Sequence, residues 1–377
     1  MSDIRLKTKA GHSHGLQMSW LLLLLILFQN LSITVTAQTT ATSSSSFRSE
    51  GDSTIRIMFY NIENTFDHRN DPYPGDDSFL PGSERAWTFW KYRQKLIAVG
   101  RVILSAGGWE PPELIGLEEV ENRRVLEDLL RLSPLRLASY GLVHFDSPDP
   151  RGIDVALLYR KDRIRILFAR PLRYNLAEHG MTRTRDILYA CVEAFGRDTL
   201  HIYVNHWPSR FGGHLTTNSK RLASAKRLAQ DMDSLLAQQP NACLVAGGDF
   251  NDEPHDSSLC HIEGKYDIRP RLINLMKEPA RVPGSGSHKH AGHWGFLDQI
   301  LISPNLADDN HPLRLSSARA QVLTARFLLK KEVRNPGYTP FRSFAGLYYQ
   351  GGISDHLPVW IELVRDKEPH QAKNQFP

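Results

Sequence analysis

Residues 243–251 read Cys-Leu-Val-Ala-Gly-Gly-Asp-Phe-Asn, a short apolar run that ends in two glycines and two polar side chains. Such a run is typical of a buried strand, and the glycines let the backbone turn sharply or approach another group. Asp249 and Asn251 stand two residues apart and therefore share one side of an extended segment. The carboxylate can hold an attacking water and the amide can donate to a phosphoryl oxygen, although an Asx turn that closes the strand gives the same pattern.

Six further stretches repeat this arrangement of a β-prone run that ends in polar residues. They are Tyr60–Asn64, Leu117–Val120, Arg151–Asp154, Asn205–Ser209, Leu297–Gln299 and Ser354–Pro358. Polar residues at so many strand ends predict one site on one rim of a sheet. Their carboxylates and amides are hard oxygen ligands and their histidines exchange protons, so the pattern predicts a divalent cation acting on a phosphate.

Hydrophobic periodicity predicts an α/β (α+β) fold, in which strand pairs and strand–helix alternation favour a mixed sheet sandwich covered by helices. Helices are expected over residues 89–104, 122–132 and 217–238. Strands are expected over residues 55–60, 113–117, 154–159, 164–168, 187–195, 199–204, 242–246, 297–302 and 359–363.

The composition permits one large domain: the chain has 377 residues, of which 41% are hydrophobic. Because the motifs from Asn61 to His356 serve one site, we expect a single catalytic domain over residues 54–365. The formal net charge of +5 permits contact with a polyanion without demanding it. A dedicated nucleic-acid binder would more often show a dense stripe of lysine and arginine.

The two ends of the chain differ in composition from the expected domain. Basic residues, an apolar run over 20–28 and Val35-Thr36-Ala37 predict a cleaved signal peptide over residues 1–37, and hence a secreted or periplasmic protein. The alternative is an uncleaved membrane anchor, but the apolar run is far shorter than the ~20 residues of a spanning helix. Residues 38–53 are expected to be a disordered linker and residues 366–377 a flexible tail. The three cysteines, Cys191, Cys243 and Cys260, form no regular disulfide framework, and their pairing is left open.

His356 is the candidate for moving a proton, because an imidazole exchanges protons near neutral pH when a carboxylate orients it. Its neighbour Asp355 does not easily face the same ring, so the remote Asp298 is the better partner. A helix cap is the alternative interpretation of the segment around His356.

The segment after residue 204 offers a second histidine, His206, which could protonate or hydrogen-bond a leaving or bridging oxygen. Arg210 could clamp a phosphate with its forked donors, and Asn205 and Ser209 of the same motif are further substrate-binding candidates. A packed loop histidine is the alternative. The histidines at 288, 290 and 293 lie in a Gly/Ser-rich loop, which favours phosphate contacts or a solvated loop over a zinc site.

Asn61 and Glu63 share one face at the end of the first strand and could ligate a cation. Glu118 and Glu119 point to opposite faces of their strand, so at most one belongs directly to the site. The residues alone do not decide between the two glutamates.

In this order, the motifs resemble those of the endonuclease/exonuclease/phosphatase superfamily over roughly residues 54–365. Residues 60–67, 151–156 and 205–210 are most similar to a group of secreted bacterial members. The resemblance implies a four-layer sandwich in which two mixed β-sheets pack face to face with helices on the outside.

The resemblance also assigns roles to the polar residues. It implies that Asn61 and Glu119 bind the metal with Glu63 nearby, and we expect Asp355 to be a further metal ligand. It implies an Asp–x–Asn pair at Asp249 and Asn251, and the aspartate that orients His356 at Asp298. In deoxyribonuclease-like members a second histidine takes the place of His206, and the glutamate that usually accompanies it cannot be identified in this sequence.

We therefore expect a metal-dependent phosphodiester hydrolase that uses Mg²⁺, with Mn²⁺ or Ca²⁺ as alternatives. The expected activity is that of a secreted endonuclease that cleaves DNA or RNA, acts as a monomer and needs no protein partner. The alternative within the superfamily is a phosphatase or a sphingomyelinase-like enzyme, and aromatic residues at 87–90 and 341–349 keep a lipid substrate open. A non-catalytic binding module is disfavoured because none of the site residues is missing.

Overall fold

A computed structural model describes residues 53–366 except 73–74, 109, 181–182, 265–269, 334 and 336. Contacts within the chain separate residues 1–48 from a compact unit of residues 49–377, to which all described residues belong. The predicted signal peptide, and nearly all of the predicted linker and tail, lie outside the described residues. Among the helices that the structure does describe, none is both long enough and apolar enough to cross a membrane.

The described residues contain four helices and nineteen strands. The helices are α1 (Phe89–Ala106), α2 (Arg123–Leu132), α3 (His214–Gln238) and α4 (Ser257–Ile262). The strands are β1 (Thr54–Thr65), β2 (Leu114–Val120), β3 (Tyr140–His144), β4 (Asp154–Arg160), β5 (Ile164–Leu172), β6 (Ile187–Ala194), β7 (Asp198–His206), β8 (Cys243–Asp249), β9 (Ile273–Asn274), β10 (His288–His290), β11 (His293–Gly295), β12 (Asp298–Ile302), β13 (Leu313–Leu315), β14 (Gln321–Val322), β15 (Leu329–Lys331), β16 (Tyr338–Pro340), β17 (Phe344–Ala345), β18 (Tyr348–Tyr349) and β19 (Val359–Arg365).

Two large sheets dominate the structure. The first has the order β13-β19-β1-β2-β4-β3, with β14 also paired to β19, and the second has the order β5-β6-β7-β8-β12-β9. Each sheet contains one parallel pair, β1 with β2 and β7 with β8, and its other neighbours are antiparallel. Both sheets are therefore mixed. The pairs β10–β11, β15–β16 and β17–β18 form separate two-stranded hairpins.

The alternation along β1 shows how the layers pack. Ile57 and Phe59 lie in the core between the two sheets, whereas Met58 and Tyr60 lie in the core that includes residues of α1 and α2. On the outer face of the second sheet, Tyr203 packs with residues of α3 and α4. Because successive side chains of a strand face opposite ways, each sheet buries both of its faces. The four layers, helices–sheet–sheet–helices, confirm the expected fold class.

The predicted helices and strands all occur, and the largest differences are at their ends. The strand that was expected to end at Ala246 continues to Asp249, because Gly247 pairs with Ile300 and with Val204 as part of the sheet. A Cβ on Gly247 would lie 2.3 Å from the ring of Phe59, so the glycine serves the close approach of the two sheets and not a turn. All three cysteines are free thiols.

One rim of the sandwich collects the polar strand ends. The carboxyl ends of β1 and β2 meet there because the two strands are parallel, and the same holds for β7 and β8. The antiparallel strands β12 and β19 begin at this rim. The motifs are therefore brought together from both sheets.

Candidate active site

His356 and Asp298 form a buried pair at the centre of this rim. His356 Nδ1 lies 2.8 Å from Asp298 Oδ2, and His356 Nε2 faces Asp249 Oδ2 at 3.8 Å. Burial alone would lower the pKa of His356, but the carboxylates of Asp298 and Asp249 outweigh it and hold this pKa well above its ordinary value. Ser354 fixes the segment, since its hydroxyl donates to the carbonyl of Asn61 (2.6 Å) and accepts from the backbone N–H of His356 (3.0 Å).

Asp249 lies opposite Asp298 in the register of β8 and β12. Its Oδ1 accepts from the backbone N–H of Asn251 at 2.9 Å, and its Oδ2 accepts from Asn61 Nδ2 at 3.1 Å. The first bond is an Asx turn, so the turn and the site occur together at this residue. Burial, more than the neighbouring charges, raises the pKa of Asp249 to about 7.

The two glutamates of β2 take different positions. Glu119 stands at an irregularity in the pairing of β2 with β4 and has a left-handed backbone (φ 63°), and its side chain is slightly exposed at the rim. Its Oε2 accepts from the backbone N–H of Asn64 at 2.7 Å. Glu118 is fully buried and both of its carboxyl oxygens lack a partner. Burial, together with the Asp298 and Asp249 charges, holds the pKa of Glu118 well above its ordinary value.

His206, at the end of β7, lies beside Asp249 and Glu119. Its Nε2 is 3.6 Å from Asp249 Oδ2 and 3.8 Å from Glu119 Oε1, and its buried Nδ1 has no hydrogen-bond partner. Burial, assisted by the positive charges of Arg185 and Arg151, holds the pKa of His206 well below its ordinary value, so the ring is neutral. The described residues supply no carboxylate at hydrogen-bond distance from this histidine.

The oxygen donors at the rim suit a hard divalent cation. Glu119 Oε1 has no close protein donor, since Arg151 Nη2 and His206 Nε2 are 3.7 and 3.8 Å away. His206 Nε2 lies near both Glu119 and Asp249, and Asp249 in turn accepts from Asn61. Asn61 Oδ1 accepts from the backbone N–H of Glu63 at 3.0 Å and keeps a second lone pair, and oxygen ligands of this kind are those that Mg²⁺ prefers. Asp249, Asp298 and His356 also form one of three groups of potential metal ligands in the described residues. We refer to Asn61, Glu119, His206, Asp249, Asp298 and His356 as the site cluster.

Two predicted metal ligands, Glu63 and Asp355, are engaged by the protein itself. Glu63 accepts from Arg342 through one oxygen and from the backbone N–H of Ser343 through the other. Asp355 Oδ2 lies 2.9 Å from Arg342 Nη2. Both acids adjoin the site cluster, but both oxygens of Glu63 and Oδ2 of Asp355 already have close donors.

The predicted substrate-binding residues of the segment after β7 have mostly structural contacts. Asn205 is fully buried, and its amide bonds the carbonyls of Tyr203 and Gly247 and accepts from the indole of Trp207. Because it has no access to solvent, the structure does not place Asn205 where a substrate could reach it. Gly248 makes this packing possible: its φ is +123°, and a Cβ there would lie 2.2 Å from the carbonyl oxygen of Asn205.

The other residues of this segment are closer to the surface. Arg210 donates to the carbonyl of Asn251 (2.7 Å) and to Asp256 (2.9 Å), so its forked donors are used within the protein. The hydroxyl of Ser209 accepts from the backbone N–H of Phe211 and is partly exposed. Asn251 uses one amide N–H for the carbonyl of Trp207 at 3.1 Å and keeps the other.

Two contacts near the site were not predicted from the sequence motifs. Arg151 Nη2 donates to Asn64 at 3.0 Å. His288 pairs with His356 in an isolated antiparallel bridge, and their rings pack with centroids 4.7 Å apart. Burial lowers the pKa of His288 to about 4. Arg151 belongs to a quoted motif, but the contact of His288 has no sequence signal because 68 residues separate the two histidines.

A second acidic cluster lies close by in the chain and contains its own cations. Asp252 accepts from the fully buried Arg221 at 2.5 Å, and Asp256 from Arg210. His214 Nε2 is 3.3 Å from both acids. We refer to these five residues as the arginine-balanced cluster.

Comparison with known proteins identifies the family. The profile described as the Endonuclease/Exonuclease/phosphatase family matches residues 56–365, whereas no curated protein sequence matches the chain. The catalytic domain of human Nocturnin with bound sulfate is 18% identical; the match covers 83% of this chain and 95% of that one, with a TM-score of 0.51. An endonuclease/exonuclease/phosphatase family protein from Bacteroides thetaiotaomicron is 19% identical over 84% and 97% of the two chains, with a TM-score of 0.50. Humanized TDP2 from D. rerio is 14% identical over 82% and 99%, with a TM-score of 0.51.

These solved structures share the fold of the protein, and the profile covers most of its length. The chain belongs to the Endonuclease/Exonuclease/phosphatase family, whose members are divalent-metal-dependent hydrolases of phosphoester bonds. The resemblance inferred from the motifs is thereby confirmed at the level of the family.

Proposed function

We propose that this member of the family is a metal-dependent phosphodiesterase that cleaves DNA or RNA internally. The observation that carries the proposal is the buried Asp298–His356 pair, which faces Asp249 at 3.8 Å beside Asn61 and Glu119. Acids, an amide and imidazoles lie together there at the rim of the sandwich, which is the set of groups that hydrolysis of a phosphate requires.

Asp249 and His356 divide the proton chemistry between them. Asp249 Oδ2 and His356 Nε2 are close enough for one water to contact both. With a pKa of about 7, Asp249 is ionised in part of the molecules at neutral pH and can accept a proton from the attacking water. His356, whose pKa is raised, donates a hydrogen bond to an anionic phosphoryl oxygen while Asp298 holds its ring. The sequence suggested that His356 moves the proton and that Asp249 holds the attacking water. In this assignment Asp249 accepts the proton instead, and His356 donates to the phosphate.

Neutral donors complete the arrangement. His206 is neutral and Asn251 keeps one amide N–H, so both donate to charge that develops on the phosphorus oxygens in the transition state. A cation held by Asn61 and Glu119, Mg²⁺ in our proposal with Mn²⁺ or Ca²⁺ as substitutes, would neutralise a non-bridging oxygen and the leaving oxygen.

Substrate, location and assembly extend this proposal. The net charge of +5 and the His206 motif favour a nucleic acid, and the N-terminal residue pattern favours export. We further propose that the protein is a monomer. A lipid or small phosphoester is the second candidate, because the side chains of Phe89 and Trp90 are 49% and 62% exposed.

Substrate panels test the proposal directly. The purified protein is offered plasmid DNA, RNA, sphingomyelin and inositol phosphates, each with Mg²⁺ or with chelator. We expect cleavage of DNA or RNA that chelator abolishes, and turnover that falls by about three decades or more in His356→Ala. The exposed His255 provides the matched control, His255→Ala, which should keep its turnover. Normal turnover by His356→Ala would reject the site, and cleavage of lipid alone would reject the substrate.

A further inference from the structure

Arg342 lies between β16 and β17, at the side of the site cluster that Glu63 and Asp355 occupy. Its Nε donates to Glu63 Oε1 at 3.1 Å. Its Nη2 lies 3.1 Å from the same oxygen and 2.9 Å from Asp355 Oδ2. One guanidinium therefore bridges two carboxylates that the sequence assigned to the metal.

Hydrogen bonds of the neighbouring Ser343 hold the backbone next to Arg342 in place. The Ser343 N–H donates to Glu63 Oε2 at 2.7 Å, and the Ser343 hydroxyl accepts from Lys95 Nζ at 2.6 Å. Lys95 is buried in α1 and also donates to the carbonyls of Glu63 and Ile353. The arginine is thus held in one orientation, which lowers the entropy lost when it binds a ligand.

Arg342 keeps donors that the protein does not use. Its side chain is 47% exposed, and within the described residues its Nη1 group has no partner. By contrast, Arg185 is buried, and its Nε and both terminal nitrogens are bonded. A preoriented guanidinium with free N–H groups, next to the proposed site of phosphate hydrolysis, can donate hydrogen bonds to a phosphate oxygen.

We propose that Arg342 is a further substrate-binding residue, whose Nη1 donates to a phosphate oxygen, and that Glu63 and Asp355 are its anchors and not metal ligands. The inference rests on the proposed function only in that the substrate carries a phosphate. The acids and amides at the rim then have two roles. Asn61 and Glu119 bind the cation, while Glu63 and Asp355 position Arg342.

The test separates binding of phosphate from binding of metal. Affinity for inorganic phosphate is measured by calorimetry in chelator, and affinity for Mg²⁺ is measured separately, with Arg342→Ala, Arg342→Lys and Glu63→Gln. The control is Arg165→Ala, because Arg165 is an exposed arginine that also pairs with a glutamate, Glu193 at 2.6 Å.

We expect Arg342→Ala to weaken phosphate binding and to raise KM by roughly 10- to 100-fold, the usual loss for a charged hydrogen bond, with a smaller change in kcat. Arg342→Lys should recover part of the loss, since the charge remains without the fork. Affinity for Mg²⁺ should stay within about twofold in both variants and in Glu63→Gln, because none of them removes a proposed metal ligand.

Two results overturn the proposal. One is equal binding of phosphate by wild type and Arg342→Ala, including no binding by either; if Arg342→Ala fails to fold, Arg342→Lys takes its place in this comparison. The other is a tenfold or larger loss of Mg²⁺ affinity in Glu63→Gln. An inactive wild-type protein would instead reject the proposed function, and the phosphate measurement in chelator would still judge Arg342.

Discussion

The site cluster and the arginine-balanced cluster contain aspartates that are only three residues apart in the chain, Asp249 and Asp252, yet the charges of these two aspartates are balanced differently. Asp252 is buried against Arg221, whose Nη1 and Nη2 donate to Thr217 and to the carbonyl of His214. Asp249 is equally buried, but in the described part of the chain only histidines, His206 and His356, come within ion-pair distance of it.

This difference explains what each cluster can do. The charge of a buried carboxylate is permanently compensated when it pairs with a fully bonded arginine, and such a carboxylate has a structural role. A buried carboxylate without a permanent cation must share a proton or recruit a cation from solvent, and Asp249, whose ion-pair neighbours in the described residues are histidines, is in that position. A buried acid without a permanent cation, more than an acid as such, therefore distinguishes the proposed catalytic rim.

The largest expected effect follows from removing charge at Asp249. Asp249→Asn keeps the shape of the side chain but cannot accept a proton, so we expect kcat to fall by about three decades or more. Asp256→Asn, in the arginine-balanced cluster, should keep kcat within a few-fold. Steady-state kinetics with the nucleic acid that the wild-type protein cleaves checks both variants. Equal losses of kcat in the two variants would contradict the distinction between the clusters.

The converse effect appears in stability. Asp252→Ala leaves Arg221 buried and unpaired, so we expect the free energy of unfolding to fall by about 3–5 kcal/mol. Glu193→Ala breaks the exposed pair with Arg165 and should cost less than about 1 kcal/mol. Urea unfolding followed by circular dichroism measures both changes, and a loss for Asp252→Ala as small as that for Glu193→Ala would contradict the structural role of this cluster.

A smaller effect should come from the cation. Mg²⁺ at 100 times its dissociation constant should raise the free energy of unfolding of the wild-type protein by about 2.7 kcal/mol. Glu119→Gln should lose most of this gain, whereas Asp256→Asn should retain it. Thermal unfolding with Mg²⁺ or chelator checks the pair; a gain that disappears only in Asp256→Asn would move the cation to the arginine-balanced cluster.

The smallest effect concerns pH. The unfolded chain takes up a proton on His288 near pH 6.5, whereas the folded protein does so only near pH 4, because the ring is buried against His356. Through this group the free energy of unfolding should therefore fall by about 2.4 kcal/mol between pH 7 and pH 4.5, and it should level off at pH values well below 4. His288→Phe should remove this part of the slope. Identical slopes for the two proteins in urea titrations at pH 7 and 4.5 would show that His288 does not contribute.

The sequence predicts the layers well because long strands carry a period. Alternation over residues 55–60 separates Ile57 and Phe59 from Met58 and Tyr60, and the structure places these pairs in different cores. The short strands after residue 287, such as β10 and β17, escaped prediction because two or three residues show no period.

The site is predictable as far as strand ends determine it. Asp249, Asp298 and His356 meet because their strands end or begin at one rim. The engagement of Glu63 by Arg342 spans 279 positions and depends on how a hairpin folds back, which no local pattern encodes. Burial of Asn205 was missed for a similar reason, since a polar residue in a motif gives no sign that neighbouring backbone uses up its amide.

The backbone at Glu119 has one more consequence. Its φ of 63° belongs to a region that suits glycine, and holding a glutamate there costs on the order of 1 kcal/mol. Glu63 stands in the same region with a φ of 46°. If random variants were selected for thermal stability alone, glycine should accumulate at position 119 and give a more stable but inactive protein. Selection for turnover should keep the acid there.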